Sequence, residues 1–290
     1  MAEIESYLSP HGLDEAVKAM AEADVTIVCG GTDLAPQTEA GTRRYTSTLM
    51  NIRRVAGLSG VEVKGNEIRI AALTTVAEIM EDPVINELAP VLVEAADHFA
   101  SDQIRNAASI GGNICNASPA GDMIIPLLVL DAAVELAFWQ DDCVQRRLVP
   151  LHEFFTAPGK TVKQNRELLT AVIFARPADT FVTRFRKSGP RPALEISTVS
   201  VGIGGNLENG VFDHVRVAMG SVAPTPLRAR RVEAALEGKP LDADRIKAAV
   251  VSASEEATPI DDVRGSAWYR DHLVRVFTEE VLNDVLAKRN

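Results

Sequence analysis

Apolar positions recur at helical spacing over residues 13–23, where Leu13, Ala16, Val17 and Met20 fall on one face. The apolar run Val25–Val28 is short and stopped by Gly30-Gly31, as a strand entering a loop would be, and residues 48–52 repeat the pattern after a polar stretch. Residues 61–63 and 68–71 flank Lys64-Gly65-Asn66-Glu67, where Gly-Asn suits a two-residue hairpin turn. Thr74-Thr75 can cap a helix running through Met80 that Pro83 ends, and 84–99 reads as an amphipathic helix interrupted near Pro90. Residues 100–122 read as a long polar loop rich in Gly and Asn, a kind of segment that compact domains often keep for function. Residues 132–138 and 168–174 read as buried strands.

The pattern changes after Ala175-Arg176-Pro177-Ala178, which is a candidate boundary because proline disfavours regular structure around it. Residues 181–187, 196–207 and 211–219 are β-rich, with Asn209-Gly210 as a hairpin turn, and helical segments follow at 227–236, 243–256 and 267–286. Strands first and helices afterwards predict an α+β C-terminal domain with an antiparallel sheet. The length, 290 residues, suits two domains at roughly 150 residues each. No repeat or low-complexity segment interrupts them.

Composition excludes more than it assigns. Thirty Lys+Arg against forty Asp+Glu leave a net charge of −10, which argues against a binder of phosphate backbones. An acidic chain can still hold an anionic ligand through backbone N–H groups. Cys29, Cys115 and Cys143 lie far apart, so neither a four-thiolate metal site nor a disulfide framework is legible within the chain. Residues 1–10 carry Glu3 and Glu5 and no apolar run of the signal-peptide kind. The stretch 123–139 is broken by Pro126, Asp131 and Glu135, too short and charged to span a bilayer. These features predict a cytoplasmic protein. His11, His98, His152, His214 and His272 are dispersed without ligand spacing, and no metal site or nucleophile–base arrangement is legible.

Two loops carry the candidate chemistry. The first, Ile27-Val28-Cys29-Gly30-Gly31-Thr32-Asp33-Leu34, takes a strand into two glycines, a hydroxyl and a carboxylate. Paired glycines allow positive φ and close backbone approach, and successive N–H groups there form a nest suited to a pyrophosphate. The spacing matches neither a Rossmann fingerprint nor a Walker A loop, and an ordinary strand connection would look the same. The second, Ser109-Ile110-Gly111-Gly112-Asn113, continues to Asp122, nine residues on. Ser109, Asn113 and Asp122 can meet sugar hydroxyls, or the segment is an Ω-loop that satisfies its own backbone.

The strings VCGGTDL (28–34) and SIGGNICNASPAGD (109–122) resemble the FAD-binding subunit of the molybdenum hydroxylases, the carbon monoxide, nicotinate and xanthine dehydrogenase family. Gly220-Ser221-Val222-Ala223-Pro224-Thr225-Pro226-Leu227-Arg228-Ala229 resembles the C-terminal flavoprotein domain of that family, so the resemblance spans essentially the whole chain. It implies an α+β fold. Residues 1–177 would form an FAD-binding region of the vanillyl-alcohol-oxidase (PCMH) type, with subdomains of about 1–55 and 56–177. Residues 178–290 would form the C-terminal domain. It further implies that Ile27–Leu34 and Ser109–Asn113 wrap the pyrophosphate and ribityl chain, mostly through backbone amides. Asp122 then matches a sugar-contacting carboxylate, Phe99 an aromatic near the cofactor, and Leu168 and Lys187 positions around the adenine. A β-branched residue at Gly111 is expected to block the backbone approach.

The implied activity is that of an oxidoreductase subunit. A small partner would carry two [2Fe–2S] clusters and a large partner the molybdopterin, in a dimer of heterotrimers, with electrons leaving through FAD to an external acceptor. The cofactor does the redox work, so no side chain is assigned as catalytic, and Cys29 reads as structural. Two rival readings are a self-contained FAD oxidoreductase and a flavin-free assembly scaffold. Three further features stay outside the site. The repeated string Ile203-Gly204-Gly205-Asn206 reads as sheet geometry rather than a third flavin loop. Arg228, Arg230 and Arg231 read as a solvated helix start. Arg184, Arg186, Lys187 and Arg191 are balanced between a solvated face and a nucleotide or partner contact.

Overall fold

The computed structural model describes residues 4–189 and 195–287. The chain opens on a three-stranded parallel sheet in the order Ser6–Leu8, Thr48–Asn51, Val25–Val28. The helix Leu13–Glu22 covers it, burying Ala16, Val17 and Met20. A five-stranded antiparallel sheet follows, in the order Val61–Lys64, Glu67–Ala71, Leu168–Ala175, Ala133–Gln140, Cys143–Pro150. Its first hairpin turns over Gly65-Asn66, with Lys64 paired to Glu67. The third sheet holds Phe181–Ser188, Val199–Glu208, Val211–Gly220 and the short strands Leu227–Arg228 and Lys239–Pro240. The helices Ala243–Glu256 and Ala267–Ala287 pack beside it and against each other. These layers agree with the α+β expectation.

Local sequence explains most boundaries. Thr75 closes a capping box on Val76–Glu81, its hydroxyl taking the Glu78 N–H while the Glu78 carboxylate takes the Thr75 N–H. Pro83 does more than end that helix. Asp82 Oδ1 accepts from Val84 and Ile85 N–H, and Pro83 opens a new helix, Pro83–Leu88, at a first-turn position that lacks a needed donor anyway. Pro90 opens the next, Pro90–Asp97. The stretch 227–236 is not uniformly helical: Leu227–Arg228 pairs with the sheet, and the helix is Arg230–Leu236.

Three apolar clusters fill the molecule. Met50, Val17 and Ile52 centre the first, Ile68, Leu92 and Phe154 the second, and Phe212, Val201 and Val281 the third. The second cluster reaches across the chain to Phe185 and Ala218 of the third sheet. The helix Ile124–Val129 makes that connection, with all six residues buried, because it is apolar on every side and lies inside the molecule.

Candidate functional site

The parallel sheet sends its strands to one edge, where Ile52 N–H donates to the Val28 carbonyl at 3.1 Å and the chain then turns at Gly30-Gly31. Clefts beyond the carboxyl ends of parallel strands are where α/β layers hold ligands. A Cβ on Gly30 would lie 1.9 Å from the Ala107 carbonyl oxygen, so glycine is required for the two loops to touch. Gly31 has φ +70°, which costs a side-chain-bearing residue about 1–2 kcal/mol. The result is a run of backbone amides, Gly30 to Leu34, none of which donates to any described residue. Buried or half-buried N–H groups are normally paired, so a consecutive free run is a ready anion nest.

The second loop differs from expectation. Residues 100–122 are not one irregular segment: they contain the helices Asp102–Arg105 and Ile110–Asn116. Ser109 caps the latter, its hydroxyl accepting from Gly112 N–H at 3.1 Å. The other amides there are also taken, Ile110 by the Thr74 carbonyl, Gly111 by Ala72 and Asn113 by Ser109. The amides of this segment are therefore committed to the fold, and the first loop supplies the free donors. A Cβ on Gly111 would sit 2.7 Å from the Ala72 oxygen and 2.8 Å from its Cβ. A larger residue at 111 would collide with the neighbouring strand before it met any ligand. What the second loop offers the cleft is Asn113 Oδ1, buried and without a partner.

Between the loops lies a cleft of about 380 Å³. Of the expected residues, Ile27, Cys29, Gly30, Gly31, Thr32, Asp33, Leu34, Phe99, Ser109, Gly111, Gly112, Asn113 and Leu168 line it. Val28 and Ile110 do not, and Ile110 is buried in the second apolar cluster. Cys29 Sγ lies 3.5 Å from Ser109 Oγ, and Gln37 Nε2 donates to Asn116 Oδ1 at 2.8 Å, so side chains as well as glycines tie the two loops. Partial loss of hydration holds the Asp33 carboxyl above its ordinary value, and burial pushes the Cys115 thiol up to about 11. The sequence reading missed Arg43, Arg44, Asn116 and Lys163 on the cleft wall. The adjacent Arg43-Arg44 pair was the available signal, but nothing in the order of residues places it opposite the glycines.

Asp122 and Lys187 are brought together, though not on the lining of the cleft. Lys187 Nζ donates to Asp122 Oδ2 at 2.6 Å, to the His98 carbonyl at 2.8 Å and to the Glu195 carbonyl at 3.0 Å. Both side chains are buried, and Asp122 Oδ1 has no partner. Burial raises the Asp122 carboxyl to about 6, with the Lys187 ammonium offsetting part of that rise. Arg186 pairs with Asp284 and Glu280, and Arg184 lies 3.9 Å from Glu94, so this basic cluster is neutralised internally; Arg191 lies outside the described residues. Arg228 is also buried rather than solvated. It donates to Glu233 Oε1 at 2.6 Å and to Asp131 Oδ1 at 2.8 Å. Ile203-Gly204-Gly205-Asn206 lies within the strand Val199–Glu208 at a register shift, where Cβ atoms on Gly204 and Gly205 would meet Val129, Phe181 and Phe212.

A family model described as "FAD binding domain in molybdopterin dehydrogenase" matches residues 2–177, and one described as "CO dehydrogenase flavoprotein C-terminal domain" matches 184–285. The chain belongs to the FAD-binding subunits of the molybdopterin dehydrogenases. A putative xanthine dehydrogenase FAD-binding subunit of Escherichia coli is 31% identical over 99% of this chain and 98% of its own length. The glyceraldehyde dehydrogenase medium chain of Sulfolobus acidocaldarius is 31% identical over 97% and 98%. Among solved structures, a carbon monoxide dehydrogenase from Hydrogenophaga pseudoflava lacking the Mo-pyranopterin moiety superposes with a TM-score of 0.92 at 27% identity, covering 97% of each chain. The chain is thus an oxidoreductase subunit with an FAD-binding domain. The cleft fits that cofactor: free amides stand ready for phosphate, an unpartnered buried Asn113 Oδ1 can accept from a sugar hydroxyl, and Ile27 and Leu168 offer apolar wall. No helix among the described residues is long and apolar enough to cross a membrane.

Proposed function

We propose that this chain is the electron-exit subunit of a three-subunit molybdenum hydroxylase. Substrate is oxidised at molybdopterin on a large partner, electrons pass through [2Fe–2S] clusters on a small partner, and the FAD held here delivers them to an external acceptor. The assembly is a dimer of heterotrimers in the cytoplasm. Residues 1–177 hold the cofactor and 178–290 form the C-terminal domain. Bound FAD supplies a carrier that accepts electrons one at a time and releases them as a pair.

The observation that carries this reading is the run of unpaired amides from Gly30 to Leu34 facing the cleft. Fixed N–H groups bind phosphate without demanding positive side chains, which reconciles a net charge of −10 with a polyanionic cofactor. Thr32 and Asp33 extend the donors and acceptors along the cleft. Asn113 and Ser109 face them, Ile27, Phe99 and Leu168 give apolar contact, and Cys29, Gly111 and Gly112 keep the walls close. Val28 and Ile110 act as framework. Asp122 and Lys187 act as a buried brace behind the site, tied through the His98 carbonyl to the segment that carries Phe99.

The test uses the complex purified from its native source. Stoichiometric, non-covalently bound FAD should be released on denaturation, and substrate oxidation should require all three chains. Flavin-free complex with intact iron–sulfur centres would overturn the assignment. Substrate turnover by this chain alone would point instead to a self-contained oxidoreductase.

A further inference from the structure

The helix Pro90–Asp97 ends at the cleft, and two residues beyond its cap Ala100 has φ +41°, a left-handed conformation that residues with a Cβ rarely adopt. Helix ends that turn this way normally use glycine. Among the described residues two alanines are left-handed, Ala100 and Ala117, and each directly follows a residue lining the cleft, Phe99 and Asn116. Backbone of this sort persists only where its surroundings over-determine it, and it gathers at ligand sites.

The surroundings of Ala100 include two cations. Arg105 Nη1 donates to the Phe99 carbonyl at 2.7 Å and, at 3.4 Å, to the Asp97 carbonyl, while its Nη2 pairs with Asp102. Lys187 Nζ takes the His98 carbonyl between them at 2.8 Å. Three successive carbonyls are thus held by side chains from two distant parts of the chain. Cations suit the last carbonyls of a helix on charge alone. Donors on consecutive carbonyls do more, because they fix the direction of each peptide plane. Phe99 packs against the second apolar cluster as well as lining the cleft, so its backbone direction decides where the ring lies. The Arg105 side chain is largely buried and is not part of the cleft wall.

We infer that Arg105 is a positioning residue: it holds the left-handed turn at Ala100, with Lys187 as the second grip, and so presents Phe99 to the cofactor. Arg105 acts through Phe99 and touches neither the cleft nor its occupant. The inference rests on the flavin reading above and deepens it, adding a residue behind the wall to those on it.

The full chain, freed of flavin, is titrated with FAD as wild type, Arg105→Met, Arg105→Lys, Phe99→Leu and the two double variants, following flavin fluorescence. Circular dichroism gives the folded fraction of each. Arg105→Met should weaken FAD about 10-fold in the wild-type background and less than ~2-fold when residue 99 is already Leu, since a residue acting through the ring loses its effect with the ring. Arg105→Lys keeps the charge but cannot span two carbonyls, so its loss should be about 3-fold and should likewise vanish beside Phe99→Leu. A residue that only stabilises the fold would lower the thermal midpoint and leave the FAD affinity of the folded fraction unchanged. That outcome, or equal losses in the two backgrounds, would overturn the positioning role and leave the flavin site standing. If Arg105→Met does not fold, the Arg105→Lys cycle decides by the same comparison. Wild type that binds no FAD would overturn the flavin reading, and this inference with it.

Discussion

Asp122 shows how much one side chain can be asked to do. Its carboxylate is buried against Lys187, one oxygen bonded and the other without a partner, and burial outweighs the attraction of the ammonium. A folded-state value near 6 against an ordinary 3.8 means that the folded chain binds this proton more tightly than the unfolded chain does. The stabilisation is therefore complete below about pH 4 and lost as pH rises through about 6, a change on the order of 3 kcal/mol. The flavin-free chain should lose denaturant resistance across that window, and Asp122→Asn should remove this part of the slope. Parallel pH profiles for the two proteins, with or without an offset between them, would refute the assignment, because only the slope reports the Asp122 proton. At Gly31 the argument is conformational. Gly31→Val should cost about 1–2 kcal/mol through its positive φ and lower FAD content, because the turn that glycine permits there aims the free amides. A Gly31→Val protein with full flavin would show that those amides are not the phosphate site.

At the level of elements, two glycine pairs of the same sequence, Ile-Gly-Gly-Asn, have different causes. Gly111-Gly112 opens a helix pressed against Ala72 and Cys29, while Gly204-Gly205 sits at a sheet irregularity pressed by Val129, Phe181 and Phe212. Gly204→Val should cost about 1–3 kcal/mol by overpacking and leave FAD stoichiometry unchanged in the folded fraction. Flavin lost from folded Gly204→Val protein would reopen that strand as a cofactor contact. Such contrasts mark what was legible. Periodicity placed the Leu13–Glu22, Ala243–Glu256 and Ala267–Ala287 helices, and turn chemistry placed both hairpins, because these signals are local. The helix inside 100–122 was hidden because Gly111 and Gly112 are poor helix formers. Only the Ser109 cap and long-range bonds to Ala72 and Thr74 make it helical. The edge strand Cys143–Pro150 was missed because its half-exposed alternation is interrupted by Gln145, Arg146 and Arg147. Arg43 and Lys163 were missed for another reason: a cleft wall assembled from segments 120 residues apart leaves no mark in local sequence.

Across the whole molecule, the question is whether the flavin-holding part and the C-terminal part stand or fall together. The Ile124–Val129 helix lies between them, and Arg228 fastens its end, donating to the Leu128 carbonyl at 3.2 Å and to Asp131 while holding Glu233. Burial works against the Asp131 charge, but Arg228 and Arg216 more than offset it and hold the carboxyl below its ordinary value. Its contribution is therefore present at neutral pH and lost as pH falls through that lowered value. Replacing Arg228 with Met keeps the bulk but leaves Glu233 buried with only Arg230 and the Val217 N–H, a loss of about 3–5 kcal/mol. Nature has placed one tryptophan in each part, Trp139 in the central sheet and Trp268 in the last helix, so Trp139→Phe and Trp268→Phe report the two halves separately. In the flavin-free chain both probes should unfold at one denaturant concentration, because the second apolar cluster continues from the first part into Phe185 and Ala218 of the other and ties the two cores together. Arg228→Met should move both midpoints down together with unchanged steepness. Two separate transitions in the otherwise wild-type chain would mean that the helix Ile124–Val129 does not couple the halves, and the Asp122–Lys187 brace would then have to be read as a contact between independently stable domains.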